Sequence, residues 1–294
     1  MKHYRQKPNY NRNPCSSPTQ QKNILLFHTI SNKSNFIYPH IPKNYILTPR
    51  SIHMQYKAYS FDLDDNLLTL PTKIILKTSE GKLKKFSTKD FEILRPNLKK
   101  SPYEVIASSF DAFQSDSQLL KDIAKSEKAG SWQNLVNCVV HHTSIFAIIT
   151  ARRHSIKALR EGLKQAIIKN LTKSQLEEFS KKFQEKYKLE ANSTEESLDK
   201  YLDLCHFYPL NNPEMQKSLG STNTEELKAL AFQDFQVKIK QYVKNKFGEK
   251  TKVTIGFSDD SISHLKKVIN EILKSHGLFF YQTTSKGKHN LAFS

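Results

Sequence analysis

Residues 59–68 read Tyr-Ser-Phe-Asp-Leu-Asp-Asp-Asn-Leu-Leu, so an apolar, aromatic-bearing run ends in three carboxylates within four residues. The run from residue 55 has the character of a core strand, which places Asp62 and Asp64 at its carboxyl end. Like charges this close resist ionising together, and burying an unpaired carboxylate is costly. The stretch therefore favours a bound cation. Mg²⁺ is the natural candidate because it prefers carboxylate oxygens and keeps positions for water and phosphate.

Several interpretations of this stretch compete. An EF-hand calcium loop would need Gly where Leu67 stands and Glu where Lys73 stands, so it is excluded. The metal-holding Asp-x-Asp of a nucleotide-sugar transferase is a second interpretation. A third places a nucleophilic aspartate at the carboxyl end of a parallel strand, where open α/β sheets bind their ligands. A solvated acidic turn is the plainest alternative, so residues further along the chain must decide.

The composition indicates a polar globular protein. The 294-residue chain is 37% hydrophobic and 25% charged, with material for one large domain or two small ones. No apolar run approaches the length of a bilayer-spanning helix, so no membrane partner is expected. Cys15, Cys138 and Cys205 lack a metal-binding spacing and cannot all pair, which favours reduced thiols and a cytoplasmic location.

The positive charge of the chain is unevenly distributed. The net charge is +18, and residues 1–60 carry nine Lys or Arg and no Asp or Glu. Such charge suits nucleic acid, and it suits phosphorylated small molecules equally well. Residues 1–53 are rich in proline and polar residues, which predicts a basic, disordered tail. A leader is the alternative, and it would direct the protein to a mitochondrion or another organelle.

The segment after the acidic cluster has the pattern of a β-hairpin. Residues 73–77 and 82–86 have strand character, and a turn containing Gly81 separates them. Directly after a catalytic strand, such a hairpin could act as a flap over the site. Residues 103–142 are predicted to be mainly helical, residues 224–246 to form a long helix and residues 207–221 to form a loop.

Two later segments repeat the pattern of a strand that ends in polar residues. Residues 144–150 are a continuous apolar run ending in Thr150, as expected for a strand buried on both faces. Thr150 would lie beside the N-terminus of the next helix, where an anion is favoured. Residues 253–257 form another strand pattern, and Asp259 and Asp260 follow it. Because parallel strands share a carboxyl edge, these carboxylates are expected near Asp62.

Taken in order, these three strand ends resemble the haloacid dehalogenase (HAD) superfamily of phosphotransferases. The motifs are Asp62-Leu63-Asp64, the strand ending in Thr150, and Ser258-Asp259-Asp260. The resemblance covers about residues 55–282. It implies an α/β fold with a Rossmann-like parallel sheet flanked by helices, a β-hairpin flap and helical cap insertions. The cap segments would span about residues 67–142 and 156–222.

The resemblance also implies a role for each site residue. Asp62 would attack phosphorus and become an aspartyl-phosphate, while Asp64 would protonate the leaving oxygen and later activate water. Thr150 would hold the phosphoryl group, and a lysine would complete the site, with Lys228 preferred over Lys238. The magnesium-binding carboxylates would be Asp62, Asp64, Asp259 and Asp260.

One position departs from the family pattern, because Asn66 stands where the family usually has Thr or Val. Asn can still cap the turn. The expected function is therefore a Mg²⁺-dependent phosphatase, and its substrate would be a phosphorylated small molecule or a nucleic-acid end. The alternative is a catalytically idle protein of the same fold that binds nucleic acid through its basic surface and tail. A transferase does not explain Thr150 or the Ser-Asp-Asp motif.

Overall fold

A computed structural model of the protein describes residues 55–272 and 277–284, together with the backbone of residues 287–290. The tail or leader expected at residues 1–53 lies outside the described residues, so that expectation stays a prediction. The strands of the described part are β1 Gln55–Phe61, β2 Leu68–Thr69, β3 Ile74–Thr78, β4 Leu83–Phe86, β5 Tyr103–Val105, β6 Glu127–Lys128, β7 Phe146–Thr150, β8 His206–Pro209, β9 Lys252–Asp259, β10 Leu278–Thr284 and β11 Gly287–Asn290.

Helices alternate with these strands along most of the chain. The α-helices of the described part are α1 Thr88–Leu94, α2 Asp116–Lys125, α3 Trp132–Val136, α4 Ile156–Asn170, α5 Lys173–Tyr187, α6 Thr194–Leu204, α7 Pro213–Leu219, α8 Thr224–Phe247 and α9 Ile262–Ile272. Arg95–Lys100 and Asp111–Phe113 are 3₁₀ segments, and Asn137–His142 is π-helical. No helix in this part of the chain is both long and apolar enough to cross a bilayer.

The central sheet has six strands in the order β11-β10-β9-β1-β7-β8. Neighbouring strands from β10 to β8 are parallel, whereas β11 pairs antiparallel with β10. Strand β1 lies at the centre, with Phe61 in register with Ser258 on one side and Ile148 on the other. The expectation of an α/β fold with a parallel sheet flanked by helices is confirmed.

Aromatic packing holds helices against both faces of this sheet. Phe232 of α8 packs against Phe257 with ring centres 5.2 Å apart, and Tyr201 of α6 packs against Phe146 at 5.9 Å. Phe257 and Phe146 are in register with consecutive residues of β1, which point to opposite faces. Every residue of β7 is buried, as its uninterrupted apolar sequence predicted.

The segment between β1 and β7 is more mixed than the sequence suggested. Strands β3 and β4 form the predicted hairpin, and β5 joins it in a three-stranded antiparallel sheet. Strands β2 and β6 form a second small sheet. The helical description of residues 67–142 is therefore wrong in part. Tyr103–Val105 is a strand rather than a helix because its residues pair with β3.

The segment after β7 also needs a correction. Residues 156–222 contain helices α4 to α7, but they also contain β8, which forms the edge of the central sheet. This segment is therefore not wholly a helical cap. The loop predicted for residues 207–221 is wrong as well, because Phe207 and Tyr208 pair with Ile148 and Ile149 of β7 and Pro213–Leu219 is helix α7. The helix predicted from Thr224 is confirmed as α8.

Candidate active site

The carboxyl edge of the sheet brings the predicted strand ends together. The backbone N–H of Asp62 donates to the carbonyl of Ser258 at 2.9 Å, so β1 and β9 stay paired up to their last residues. Parallel pairing to the end places the residue after β1 beside the last residue of β9, which is Asp259. Both aspartates are buried, at 5% and 0% exposure.

Asn66 fixes the turn that follows Asp62. Its side-chain amide donates to the carbonyl of Asp62 at 2.8 Å and to that of Ser258 at 3.1 Å. Its amide oxygen accepts hydrogen bonds from the hydroxyl groups of Ser131 at 2.8 Å and Thr283 at 2.6 Å. A fully buried amide with partners on three other segments is well satisfied. The residue that departs from the family pattern thus joins β1, β9 and β10 around the nucleophile candidate.

Lys228 is the lysine that reaches this edge. It lies in the first turns of α8, whose N-terminus is capped by Asn223, and its side chain is 1% exposed. Its ammonium group lies 2.9 Å from Asp62 Oδ1 and 2.5 Å from Asp259 Oδ2. The other candidate, Lys238, is half exposed and pairs with Asp234 at 2.7 Å. The geometry therefore selects Lys228.

Three carboxylates around this lysine form a group that could hold a cation. One oxygen from each of Asp62, Asp259 and Asp260 lies within 4.8 Å of the others. These are hard oxygen donors of the kind that divalent cations such as Mg²⁺ and Ca²⁺ take. Lys228 brings one positive charge against three carboxyl groups, so a divalent cation would balance the excess. The residues fit a hard divalent cation as a class.

The electrostatics of the cluster follow from this imbalance. Burial raises the pKa of Asp62 well above its usual value, and Asp259, Asp260 and Asp64 add to that rise while Lys228 opposes it. Although burial acts to raise it, Lys228 and, after it, the neighbouring His264 lower the pKa of Asp259 to about 2. Burial and the charge of Asp259 raise the pKa of Asp260 to about 7. Of the three carboxyl groups around Lys228, that of Asp259 is therefore the one most strongly favoured in its ionised form.

Asp64 lies outside this cluster, so its expected place among the cation ligands stays a prediction. Arg152 donates to both of its carboxylate oxygens, from Nη2 at 2.6 Å and from Nε at 2.8 Å. The same Nη2 donates to the hydroxyl of Thr72 at 3.0 Å, and Thr72 donates to Asp122 at 2.5 Å. Such a two-point contact fixes a carboxylate in both position and orientation.

Arg152 was not predicted from the sequence. It is 1% exposed, and its guanidinium carbon lies 4.7 Å from the centre of the Phe113 ring. Its position two residues after a strand-ending threonine is the available sequence signal. His264 was missed as well. Its Nδ1 lies 2.9 Å from the Lys228 ammonium, and its place in α9 gave no sequence signal.

Thr150 lies where expected, at the end of β7, but not beside a free helix N-terminus. Helix α4 begins at Ile156 and is capped by Ser155. The backbone N–H and hydroxyl of Ser155 donate to Asp116 at 2.9 and 2.6 Å, so a carboxylate already occupies that N-terminus. The Thr150 hydroxyl is nevertheless close to the backbone N–H of Arg152, at 3.4 Å.

A cavity of about 580 Å³ opens over this edge. Five of the predicted site residues line it: Asp62, Asp64, Thr150, Lys228 and Asp260. Asp259 is buried beneath them. The cavity therefore offers a buried carboxylate, a second carboxylate held by an arginine, a hydroxyl and an ammonium group to one ligand.

The chain matches no family model, no curated protein and no solved structure.

Proposed function

We propose that this protein is a metal-dependent phosphatase of the HAD type, which hydrolyses a phosphomonoester through an aspartyl-phosphate on Asp62. The observation that carries the proposal is the bridge that Lys228 makes between Asp62 and Asp259, at 2.9 and 2.5 Å. Residues 62, 228 and 259 are remote in sequence, and their meeting is the arrangement that the family resemblance implies. Phosphoryl transfer depends mainly on positioning and charge neutralisation, which such a cluster supplies.

The chain's own residues account for both chemical steps. In the first, a carboxylate oxygen of Asp62 bonds to phosphorus, the ester P–O bond breaks, and Asp64, which must enter this step protonated, gives its proton to the leaving oxygen. In the second, water attacks phosphorus while Asp64 takes its proton, and the acyl–phosphate bond breaks to release phosphate. Lys228 and Thr150 hold the phosphoryl oxygens.

The cation has a defined place in this proposal. Asp62, Asp259 and Asp260 would hold Mg²⁺, which supplies positive charge against the phosphoryl group when bound.

The finer features of the fold belong to the proposal as well. The sheet with β1 at its centre is taken as Rossmann-like, and the hairpin of β3 and β4 with the rest of residues 67–142 is taken as flap and cap.

The other interpretations of the acidic stretch explain less of this geometry. A transferase that holds metal through Asp-x-Asp would bring both carboxylates to one ion, whereas Asp64 is held by Arg152. An idle nucleic-acid-binding protein would give no reason for carboxylates, lysine and threonine to converge in one cavity. Convergence of this kind supports the phosphatase.

The test is phosphate release from an aryl phosphate, measured with Mg²⁺ and with EDTA. Asp62→Asn removes the nucleophile with little change in shape and is expected to abolish turnover. Asp234→Asn is the control, since Asp234 pairs with Lys238 away from the cavity. Turnover that survives in Asp62→Asn, or that is unaffected by EDTA, contradicts the proposal.

A further inference from the structure

One wall of the cavity is aromatic. Phe91 of α1, Phe113 of the 3₁₀ segment before α2, and Phe110 directly before that segment all line it. The ring centres of Phe91 and Phe110 are 5.5 Å apart and those of Phe110 and Phe113 are 6.1 Å apart, with edge-to-face geometry. All three rings are half-buried, unlike the fully buried Phe179 and Phe232 of the core. We name Phe91, Phe110 and Phe113 the aromatic wall.

The aromatic wall begins next to the carboxylate that serves the leaving group. Phe113 lies against the guanidinium of Arg152 at 4.7 Å, and Arg152 holds Asp64 at 2.6 and 2.8 Å. The backbone N–H of Arg153 also donates to the carbonyl of Phe113 at 3.3 Å. The leaving oxygen must approach Asp64 to receive its proton. The group attached to that oxygen therefore lies on the side where the wall stands.

Helix α1 is tied to the site so that it presents one face to the cavity. Thr88, Phe91, Glu92 and Arg95 line the cavity, and their spacing of three, four and seven residues places them on one face of the helical turn. The Thr88 hydroxyl donates to Asp65 at 2.6 Å, and the Ser261 hydroxyl donates to Glu92 at 3.3 Å. These contacts anchor α1 to the loops after β1 and β9, which position the catalytic carboxylates.

We propose that the substrate is a phosphomonoester whose leaving group carries a flat aromatic ring, and that the aromatic wall binds that ring. This inference rests on the proposed function, because the role of Asp64 as proton donor decides on which side of the cavity the leaving group lies. A cavity of about 580 Å³ is far larger than a phosphate group and falls in the range of small-molecule sites. Half-buried phenyl rings without polar atoms select for apolar, flat groups by stacking.

Two kinds of substrate share this chemistry. In an aryl phosphate the ring bears the ester oxygen directly, whereas in a nucleoside monophosphate a sugar separates ring and phosphate. Phenyl phosphate and adenosine monophosphate represent the two, and glycerol 3-phosphate represents an aliphatic ester without a ring. Comparing the affinities of the protein for these three ligands therefore tests whether it recognises a ring, and it distinguishes an aryl phosphate from a nucleoside monophosphate.

Binding can be measured separately from turnover. In the Asp62→Asn protein with Mg²⁺, calorimetric titration is expected to give an affinity at least tenfold higher for one of the aromatic esters than for glycerol 3-phosphate. Adding Phe110→Ala, which removes the central ring of the wall, is expected to reduce that advantage about tenfold, or about 1.4 kcal/mol. Phe279→Ala is the matched control, since Phe279 lies on β10 with 48% exposure and does not line the cavity.

The outcomes separate this inference from the proposed function. Equal affinities, absence of binding, or an aromatic preference that survives both Phe110→Ala and Phe91→Ala would overturn the inference, even if the wild-type protein hydrolyses phosphate esters. A preference that disappears in these variants supports it, even if no ester is hydrolysed, in which case the phosphatase proposal fails instead. The stronger of the two aromatic ligands identifies the substrate class.

Discussion

The guanidinium group of Arg152 holds both carboxylate oxygens of Asp64, with N–O distances of 2.6 and 2.8 Å. The two residues are 88 positions apart, and each follows a different strand of the parallel sheet. Arg152 also donates to Thr72 and lies against Phe113, so its own position is fixed from three sides. A carboxylate held in this way has one orientation, which is what proton transfer to a leaving group requires.

Arg152→Lys should therefore impair proton transfer more than substrate binding. Lysine keeps the charge but cannot make the two-point contact, so we expect kcat to fall by about 10- to 100-fold. The loss should be larger for an alkyl phosphate than for p-nitrophenyl phosphate, whose leaving group departs without protonation. Arg160→Lys is the control, since Arg160 pairs with Asp199 and Asp203 outside the cavity. Equal losses with both substrates would show that Arg152 has only a structural role.

Lys228→Met should remove activity and leave the acidic cluster uncompensated. The substitution keeps an unbranched side chain of similar length but loses the only ammonium group that contacts Asp62 and Asp259 in the described part of the chain. We expect kcat/KM to fall by about 10²-fold or more, as for loss of a transition-state donor. The matched variant Lys238→Met loses one exposed ion pair and should change little. Wild-type kcat/KM in Lys228→Met would refute this assignment.

Mg²⁺ should stabilise the folded protein through Asp259 and Asp260. A ligand that binds the folded state at 100 times its Kd adds about 2.7 kcal/mol to the free energy of unfolding. The midpoint temperature of thermal unfolding should therefore rise with added Mg²⁺ and return to its original value with EDTA. Asp260→Asn should reduce the shift, and Asp234→Asn should not. An unchanged shift in Asp260→Asn would place the ion elsewhere.

His206 should make stability depend on pH. Burial, followed by the charge of Lys238, lowers the pKa of His206 to about 4, although Asp234 opposes this. The unfolded chain takes up the proton near pH 6.5, whereas the folded chain does so only near pH 4. Stability is therefore retained above pH 6.5 and lost as the pH falls toward 4.

Urea unfolding at pH 7 and pH 5 measures this contribution. From pH 7 to pH 5, we expect the free energy of unfolding of His206→Gln to fall by about 1–2 kcal/mol less than that of the wild-type protein. Equal losses in the two proteins would show that His206 does not carry the effect.

The parallel strands were predictable because their sequences are unambiguous. The run ending at Thr150 is buried on both faces, whereas the run ending at Phe61 alternates exposed and buried residues before its buried end, and each is followed by polar residues that belong at a sheet edge. The position of Lys228 in the first turns of α8 also favoured the lysine that contacts Asp62 and Asp259. These features depend on local pattern and on the rule that parallel strands share a carboxyl edge.

The missed elements depend on long-range pairing. Tyr103–Val105 and His206–Pro209 are too short for a periodic pattern, and they are strands only because β3 and β7 offer them partners. Arg152 and His264 gained their roles from side chains that lie far away in sequence. Neither position carries a local signal that separates a buried ion pair or a lysine contact from an ordinary surface residue.

The central claim is that Asp62 forms an acyl phosphate with the substrate's phosphoryl group. Rapid quenching during turnover, followed by borohydride reduction, would convert a phosphorylated aspartate to homoserine, which peptide mass spectrometry can locate. We expect homoserine at position 62 in the wild-type protein and none without substrate. Turnover that leaves position 62 unmodified while another residue is converted would contradict it.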